Sequence, residues 1–285
     1  MTKLLVCPVN YKHLIGLINS DVEGFIIGIN NFSMFFDLEL NVNEIKEVLS
    51  LTNKEVFVVI NKPLYNTDLN TIKKTLIDLS KTNITGILFD DISIININNE
   101  LKLNLNLVWS QMHLVTNYHT CNYWYKKGIN HGLLSTEISL NDIFEIKDNT
   151  DMKLMVYLYG YLPMFESSRE LITNYFKYIN KNKEENYSLY EPVRNKHYKI
   201  YEKNNETFIL EDIINGIKEV KEIKENNIDY IIINGLMHEK EEFDIVINCY
   251  INALKNNADI EELANKLNNN NTGFLYKKTV YKVKI

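Results

Sequence analysis

The sequence is poor in the residues that build disulfide frameworks and thiolate metal sites. Its three cysteines, Cys7, Cys121 and Cys249, stand far apart in 285 residues and form no CxxC pair. Arginine is scarcer still: Arg169 and Arg194 are the only two, against 29 lysines. A protein that reads nucleic acid usually presents more guanidinium forks, and the net charge of −6 gives no overall attraction to a phosphate backbone. No apolar run approaches the roughly 20 residues that cross a bilayer, which argues against an integral membrane protein. Met1–Asn10 lack the charged, apolar and small-residue zones of a signal peptide, so the expected location is cytoplasmic. GxSxG, P-loop and GxGxxG motifs are absent. There are three alanines but 41 asparagines; the excess of Asn, Lys and Ile reads as codon bias of an AT-rich genome and takes weight from any single asparagine.

What is present is a 45% apolar chain, enough to bury a sizeable core. At 33.5 kDa it suits one large α/β barrel or one domain with an insertion. Short apolar, largely β-branched runs predict eight strands, at Leu4–Val9, Gly24–Ile29, Val56–Asn61, Gly86–Asp90, Leu105–Ser110, Gly132–Ser135, Lys153–Tyr159 and Tyr230–Asn234. Helix-length segments with three-to-four spacing separate them; in Leu69–Ser80, for example, Ile72, Leu76 and Leu79 share a face. Eightfold strand–helix alternation predicts parallel strands with right-handed crossovers, closed as a (β/α)8 TIM-like barrel. After the seventh strand the rhythm breaks. A helix at Ser167–Tyr178, capped by a serine hydroxyl, and a hairpin over Tyr198–Leu210 with an Asn204-Asn205 turn are expected, then a helix over Glu211–Glu225. Residues 1–285 thus read as a single barrel domain with a hairpin insertion at 179–210 and a C-terminal helix and tail at 257–285.

In such a barrel the site lies at the carboxyl ends of the strands. Asn10, Asn30, Asn61, Asp90, Asp91, Ser110, Gln111, Glu137, Gly160 and Asn234 fall there. Asp90, Asp91 and Glu137 are the acids of that ring and the candidates for acid–base work. Adjacent strand residues point to opposite faces, so one aspartate faces the centre and the other caps the following helix. His113, His119 and His131 match no zinc spacing and are expected to be packed or exposed, so no metal site is expected. Tyr118, Tyr123, Trp124 and Tyr125 read as an amphipathic helix packing on the barrel.

The segment Gly160–Phe176, GYLPMFESSRELITNYF, resembles a motif of the collagenase-like peptidase family, family 32 among peptidases of unknown type. In that family a glycine ending a barrel strand leads into Met-x-x-Ser-x-Arg and Asn-Tyr-Phe. Val9–Phe35, Val56–Leu69, Trp109–Ile143 and Thr272–Tyr281 resemble further stretches of the family in the same order, so the likeness covers nearly the whole chain. It is nearest to the short bacterial members encoded beside a longer paralogue. The resemblance implies a role in oxygen-independent 5-hydroxylation of tRNA wobble uridines with prephenate as oxygen donor; the peptidase label comes from a few members. Longer members hold an iron–sulfur cluster on four cysteines, which this chain does not match, so no cofactor is expected on it. Where the family has Arg-Glu-Leu, this chain has Thr136-Glu137-Ile138, and where it has His-Gly, Tyr159-Gly160; an arginine near Phe32–Phe36 is missing. The expected site is therefore Glu137 as the catalytic residue, with Arg169, Ser167, Ser168, Asn61 and Asn117 binding ligand, and Glu137 pairing with Arg169. The expected role is an accessory subunit working with the longer cysteine-bearing paralogue and reaching tRNA through it, away from membranes. A collagenase-like peptidase and a stand-alone small-anion-binding barrel are the alternatives.

Overall fold

Runs of β-branched and aromatic residues buried on both faces become parallel strands, and the polar-faced stretches between them become helices. The computed structural model describes residues 1–111, 113–184, 186–193, 195–255 and 258–277. The chain begins with β1 (Lys3–Cys7), α1 (Tyr11–Leu17), β2 (Gly24–Ile29), a two-residue β3 (Glu39–Leu40) and α2 (Val42–Leu51). It continues through β4 (Glu55–Ile60), α3 (Leu69–Leu79), β5 (Gly86–Phe89), α4 (Ser93–Glu100), β6 (Leu107–Trp109), α5 (Tyr118–Tyr125), β7 (His131–Leu133) and α6 (Leu140–Asp148). The rest is β8 (Lys153–Ser167), α7 (Leu171–Tyr178), β9 (Tyr187–Glu191), β10 (Lys196–Lys203), β11 (Glu206–Asn215), α8 (Val220–Glu225), β12 (Tyr230–Asn234), α9 (Lys240–Ala253) and α10 (Ile260–Leu267). Two compact units result: Met1–Tyr159 with Asn215–Ile285, and Gly160–Ile214.

In the first unit β1, β2, β4, β5, β6, β7, β8 and β12 pair in that order, each parallel to the next, and β12 closes the ring onto β1. This is the expected (β/α)8 barrel. Alternate residues point inward, and Leu5, Ile26, Phe57, Leu88, Val108, Met155 and Ile232 fill the interior. The intervening Leu4, Phe25, Ile27, Val56, Val58 and Ile87 are equally buried. Ile72, Leu76 and Leu79 make the predicted buried stripe of α3. Asn41 with Glu44 and Ser139 with Asp142 form capping boxes that start α2 and α6.

β8 slips register against β12 between Tyr157 and Tyr159, which leaves Leu158 as a bulge. Gly160 follows with φ of +127°, a conformation that favours glycine, where the strand leaves the barrel.

In the second unit the strand order is β8, β11, β10, β9. The expected hairpin is formed by β10 and β11, antiparallel with Lys203 opposite Glu206. Asn204 and Asn205 both have positive φ, as a two-residue type I′ turn requires. β9 adds a third antiparallel strand, and Ile172 and Phe176 of α7 pack on Tyr187, Tyr198, Ile200 and Ile209. The unit that holds the hairpin runs over 160–214, wider than the 179–210 insertion read from the sequence.

Two expected helices are shorter than their periodicity implied. Ser167 ends β8, and the helix expected at Ser167–Tyr178 begins only at Leu171, without a serine cap. The Thr207 hydroxyl takes that role from across the sheet: it accepts from the Leu171 N–H at 2.9 Å and donates to the Arg169 carbonyl at 2.6 Å. The helix expected over Glu211–Glu225 shrinks to α8, because β11 extends through Ile213 and Ile214 to Asn215. Adjacent β-branched residues suit either element, and strand pairing decides. After α10, the Asn-rich segment returns to the barrel wall. Asn215 donates from its backbone to the Asn271 carbonyl and from its side chain to that of Asn269, at 2.7 and 2.8 Å. The end of the expected C-terminal tail, from 278 onward, lies outside the described residues.

Candidate functional site

Inward positions change from apolar to polar at the carboxyl end of the barrel, with Cys7, Tyr157 and Asn234 on β1, β8 and β12 and Asn61, Asp90 and Ser110 directly following β4, β5 and β6. The Ser110 hydroxyl lies 2.7 Å from Asp90 Oδ1 and 3.0 Å from the Phe89 carbonyl. Asp91 turns away, and its carboxylate accepts the Ser93 N–H at 2.8 Å to start α4. The two carboxylates therefore divide as the strand alternation predicts, but the N-cap of α4 is Ile92, without a side-chain cap, rather than the expected aspartate.

Both strand-end asparagines hold the loop between β2 and β3. Asn61 accepts from the Met34 N–H at 2.8 Å and donates to the Met34 carbonyl at 3.2 Å. Asn234 donates to the Phe35 carbonyl at 3.2 Å and accepts from the Leu236 N–H at 2.9 Å. The loop lays Phe36 against the interior cluster. Next to it, burial pushes the Tyr157 hydroxyl well above the usual phenol range, against a smaller opposing effect of its hydrogen bond with Asn234. Burial likewise pushes the Cys7 thiol far up, so at neutral pH the mouth holds a neutral phenol and a neutral thiol rather than a thiolate nucleophile. The mouth thus gathers hydroxyl, amide and carboxylate groups, with both amides engaged in holding the loop.

Glu137 lies in the loop between β7 and α6. Its carboxylate is 3.8 Å from His113 Nδ1, with both side chains more than half exposed, so the pair is weak. Asn117 caps α5 by accepting the Thr120 N–H at 2.9 Å. His119 stacks on Tyr118, and His131 sits at the opposite, amino end of the barrel interior beside Phe57 and Tyr230. The histidines are thus exposed or packed, as expected, and no group of three or more His, Cys, Asp or Glu able to hold a metal occurs among the described residues. Ser167, Ser168 and Arg169 belong to the second unit, on the link from β8 to α7.

Tyr157 was not anticipated from the sequence. Its signal is its spacing, two residues after Met155 on the inward face of β8. The bulge at Leu158 then breaks the alternation, so a simple period misplaces everything after it.

Comparison with known proteins agrees with this architecture. The tRNA hydroxylation protein P2 of Bacillus subtilis is 28% identical over 305 residues, covering 98% of this chain and 99% of that protein. The tRNA hydroxylation protein P of Escherichia coli is 28% identical over 153 residues, 53% of this chain but 32% of that longer protein. The solved structure of the U32 peptidase Mk0906 shares the fold, with a TM-score of 0.51 at 12% identity over 82% of this chain and 92% of that one. The family model described as peptidase family U32 matches residues 9–281. Matched over nearly its whole length, the chain belongs to peptidase family U32.

Proposed function

We propose that the chain is an accessory subunit in prephenate-dependent 5-hydroxylation of tRNA uridines, acting in the cytoplasm beside a longer, cysteine-bearing paralogue. The end-to-end match to tRNA hydroxylation protein P2 carries this reading, because the longer relatives align over only about a third of their length. The thiols support it: Cys7, Cys121 and Cys249 are each buried, on β1, α5 and α9, and do not fit the four-thiolate set an iron–sulfur cluster usually takes. In the same reading Arg169, with Ser167 and Ser168, binds an anionic group through its planar fork, and Glu137 handles protons at the barrel mouth. No helix among the described residues is long and apolar enough to cross a membrane.

The test is mass spectrometry of tRNA from a deletion strain. Loss of 5-hydroxyuridine-type modification is expected, while the purified chain alone neither hydroxylates tRNA nor cleaves gelatin. Unchanged modification would overturn the proposal, and gelatin cleavage that disappears on Glu137→Gln would favour the peptidase.

A further inference from the structure

We propose that the C-terminal end of α7 and the turn after it form a surface that binds single-stranded RNA directly; this rests on the tRNA reading above and gives this chain its own contact with the substrate. Leu171–Lys183 contains three lysines and no acid, in a chain whose net charge is −6. Lys183 is held by Glu202 at 2.6 Å, but Lys177 and Lys181 are exposed and form no ion pair among the described residues. Between and beside them stand two large exposed rings, Tyr175 at 58% and Tyr178 at 87% relative exposure. The opposite face of the helix already has its partner, since Ile172 and Phe176 pack on the sheet. Tyr178 stands clear of that core, and Tyr175 touches it only through its edge-to-face contact with Phe176.

The surface is rigidly presented. Asn180, with φ of +53°, ends the helix in a Schellman arrangement: the Lys181 N–H reaches the Phe176 carbonyl at 3.1 Å and the Asn180 N–H the Lys177 carbonyl at 3.2 Å. This fixes Lys177, Tyr178 and Lys181 about one turn. Tyr175 meets Phe176 edge to face at 5.5 Å, and Phe176 in turn meets Tyr187 at 5.0 Å. Glu202 ties both ends of the segment, accepting from Thr173 and from Lys183.

Two stackable rings interleaved with two unneutralised lysines suit a polyanion whose bases can stack. A protein partner fits less well, because lysine is depleted at the cores of protein interfaces. Unpaired nucleotides fit better than a duplex, whose bases offer no free faces.

The experiment is fluorescence anisotropy of the full chain with a labelled anticodon stem–loop RNA, and with a fully paired RNA hairpin as control. The stem–loop is expected to bind more tightly than the hairpin. Tyr175→Ala and Tyr178→Ala should each weaken binding roughly tenfold. Lys177→Ala with Lys181→Ala should lower the slope of log affinity against log salt by about 1.4, at roughly 0.7 per phosphate released. Circular dichroism and melting confirm that each variant folds, and Lys177→Glu with Lys181→Glu serves as a second charge variant. The inference is overturned if the wild-type chain shows no salt-dependent preference for the stem–loop, or if folded variants bind as wild type does. It is also overturned if the variants lose copurification with the paralogue while RNA affinity is unchanged, since the patch is then a protein interface. Failure of the hydroxylation reading looks different: the deletion strain keeps its modification while RNA binding still depends on these four residues.

Discussion

The Tyr250 hydroxyl lies 2.9 Å from the Leu158 carbonyl, at the bulge where β8 changes register against β12. The Gly216 N–H reaches the same carbonyl at 2.8 Å, and the Tyr250 hydroxyl is also 3.0 Å from Asn215 Oδ1. The bulge frees a carbonyl from the barrel ladder, and α9 and the root of α8 use it. Tyr250→Phe removes one buried donor while both acceptors keep backbone partners. The expected loss is about 1 kcal/mol, seen as a fall in Tm of roughly 2–4 °C. No change would show that the hydroxyl adds nothing to this junction.

Glu202 sets an acid limit on the second unit. Burial on its own raises the carboxyl, but hydrogen bonds from Lys183 and from the side chain and backbone of Thr173 outweigh it and hold the group at about 2. The folded value is depressed, so its stabilisation is complete above the unfolded value of about 4.5 and disappears as pH falls toward 2. Glu202→Gln should destabilise α7 by about 1–3 kcal/mol at neutral pH. Hydrogen exchange at the α7 amides should show this, with the difference from wild type shrinking below pH 4.5.

His131 acts on a higher window. Burial first, then the Lys153 charge, lowers it to about 4, so it is neutral when folded. The unfolded imidazole takes a proton near 6.5, and stability is lost as pH falls from there toward 4. His131 lies between Phe57 and Tyr230 in the barrel interior. A His131→Phe variant that still folds should lose Tm less steeply than wild type between pH 6.5 and 4. Parallel profiles would assign the acid sensitivity elsewhere.

Protein purified without oxygen is expected to hold no iron–sulfur cluster, because its three thiols are buried on separate elements. Iron and acid-labile sulfide assays check this. Stoichiometric amounts of both in the isolated chain would show that other ligands complete a cluster.

Arg169→Lys keeps the charge but removes the planar fork. If Arg169 binds an anionic ligand, complementation of the deletion strain by this variant should restore tRNA modification about tenfold less well, a loss the size of one charge-assisted bond, while Tm barely moves. A fall of several degrees in Tm with full complementation would instead make Arg169 a structural residue.

The barrel was legible in the sequence because its evidence is local. Most of the eight strands contain a short apolar run such as Tyr230–Ile233 that is buried on both faces, and the helices between them repeat every three or four residues. The Asn204-Asn205 turn and the division of labour between Asp90 and Asp91 were legible for the same reason: αL tolerance and strand alternation act within a few residues. Other features depend on partners far along the chain. Gly160–Ser167 is a strand because β11 lies beside it, and Thr207 caps α7 from 36 positions away. Tyr157 meets Asn234 because β12 closes the ring against β8, and Asn61 and Asn234 both hold the loop that carries Phe36. No local spacing encodes such pairings. They follow from closure of the sheet, which decides which carboxyl-end residues face one another, and the bulge at Leu158 shifts that register by a residue no periodic reading contains.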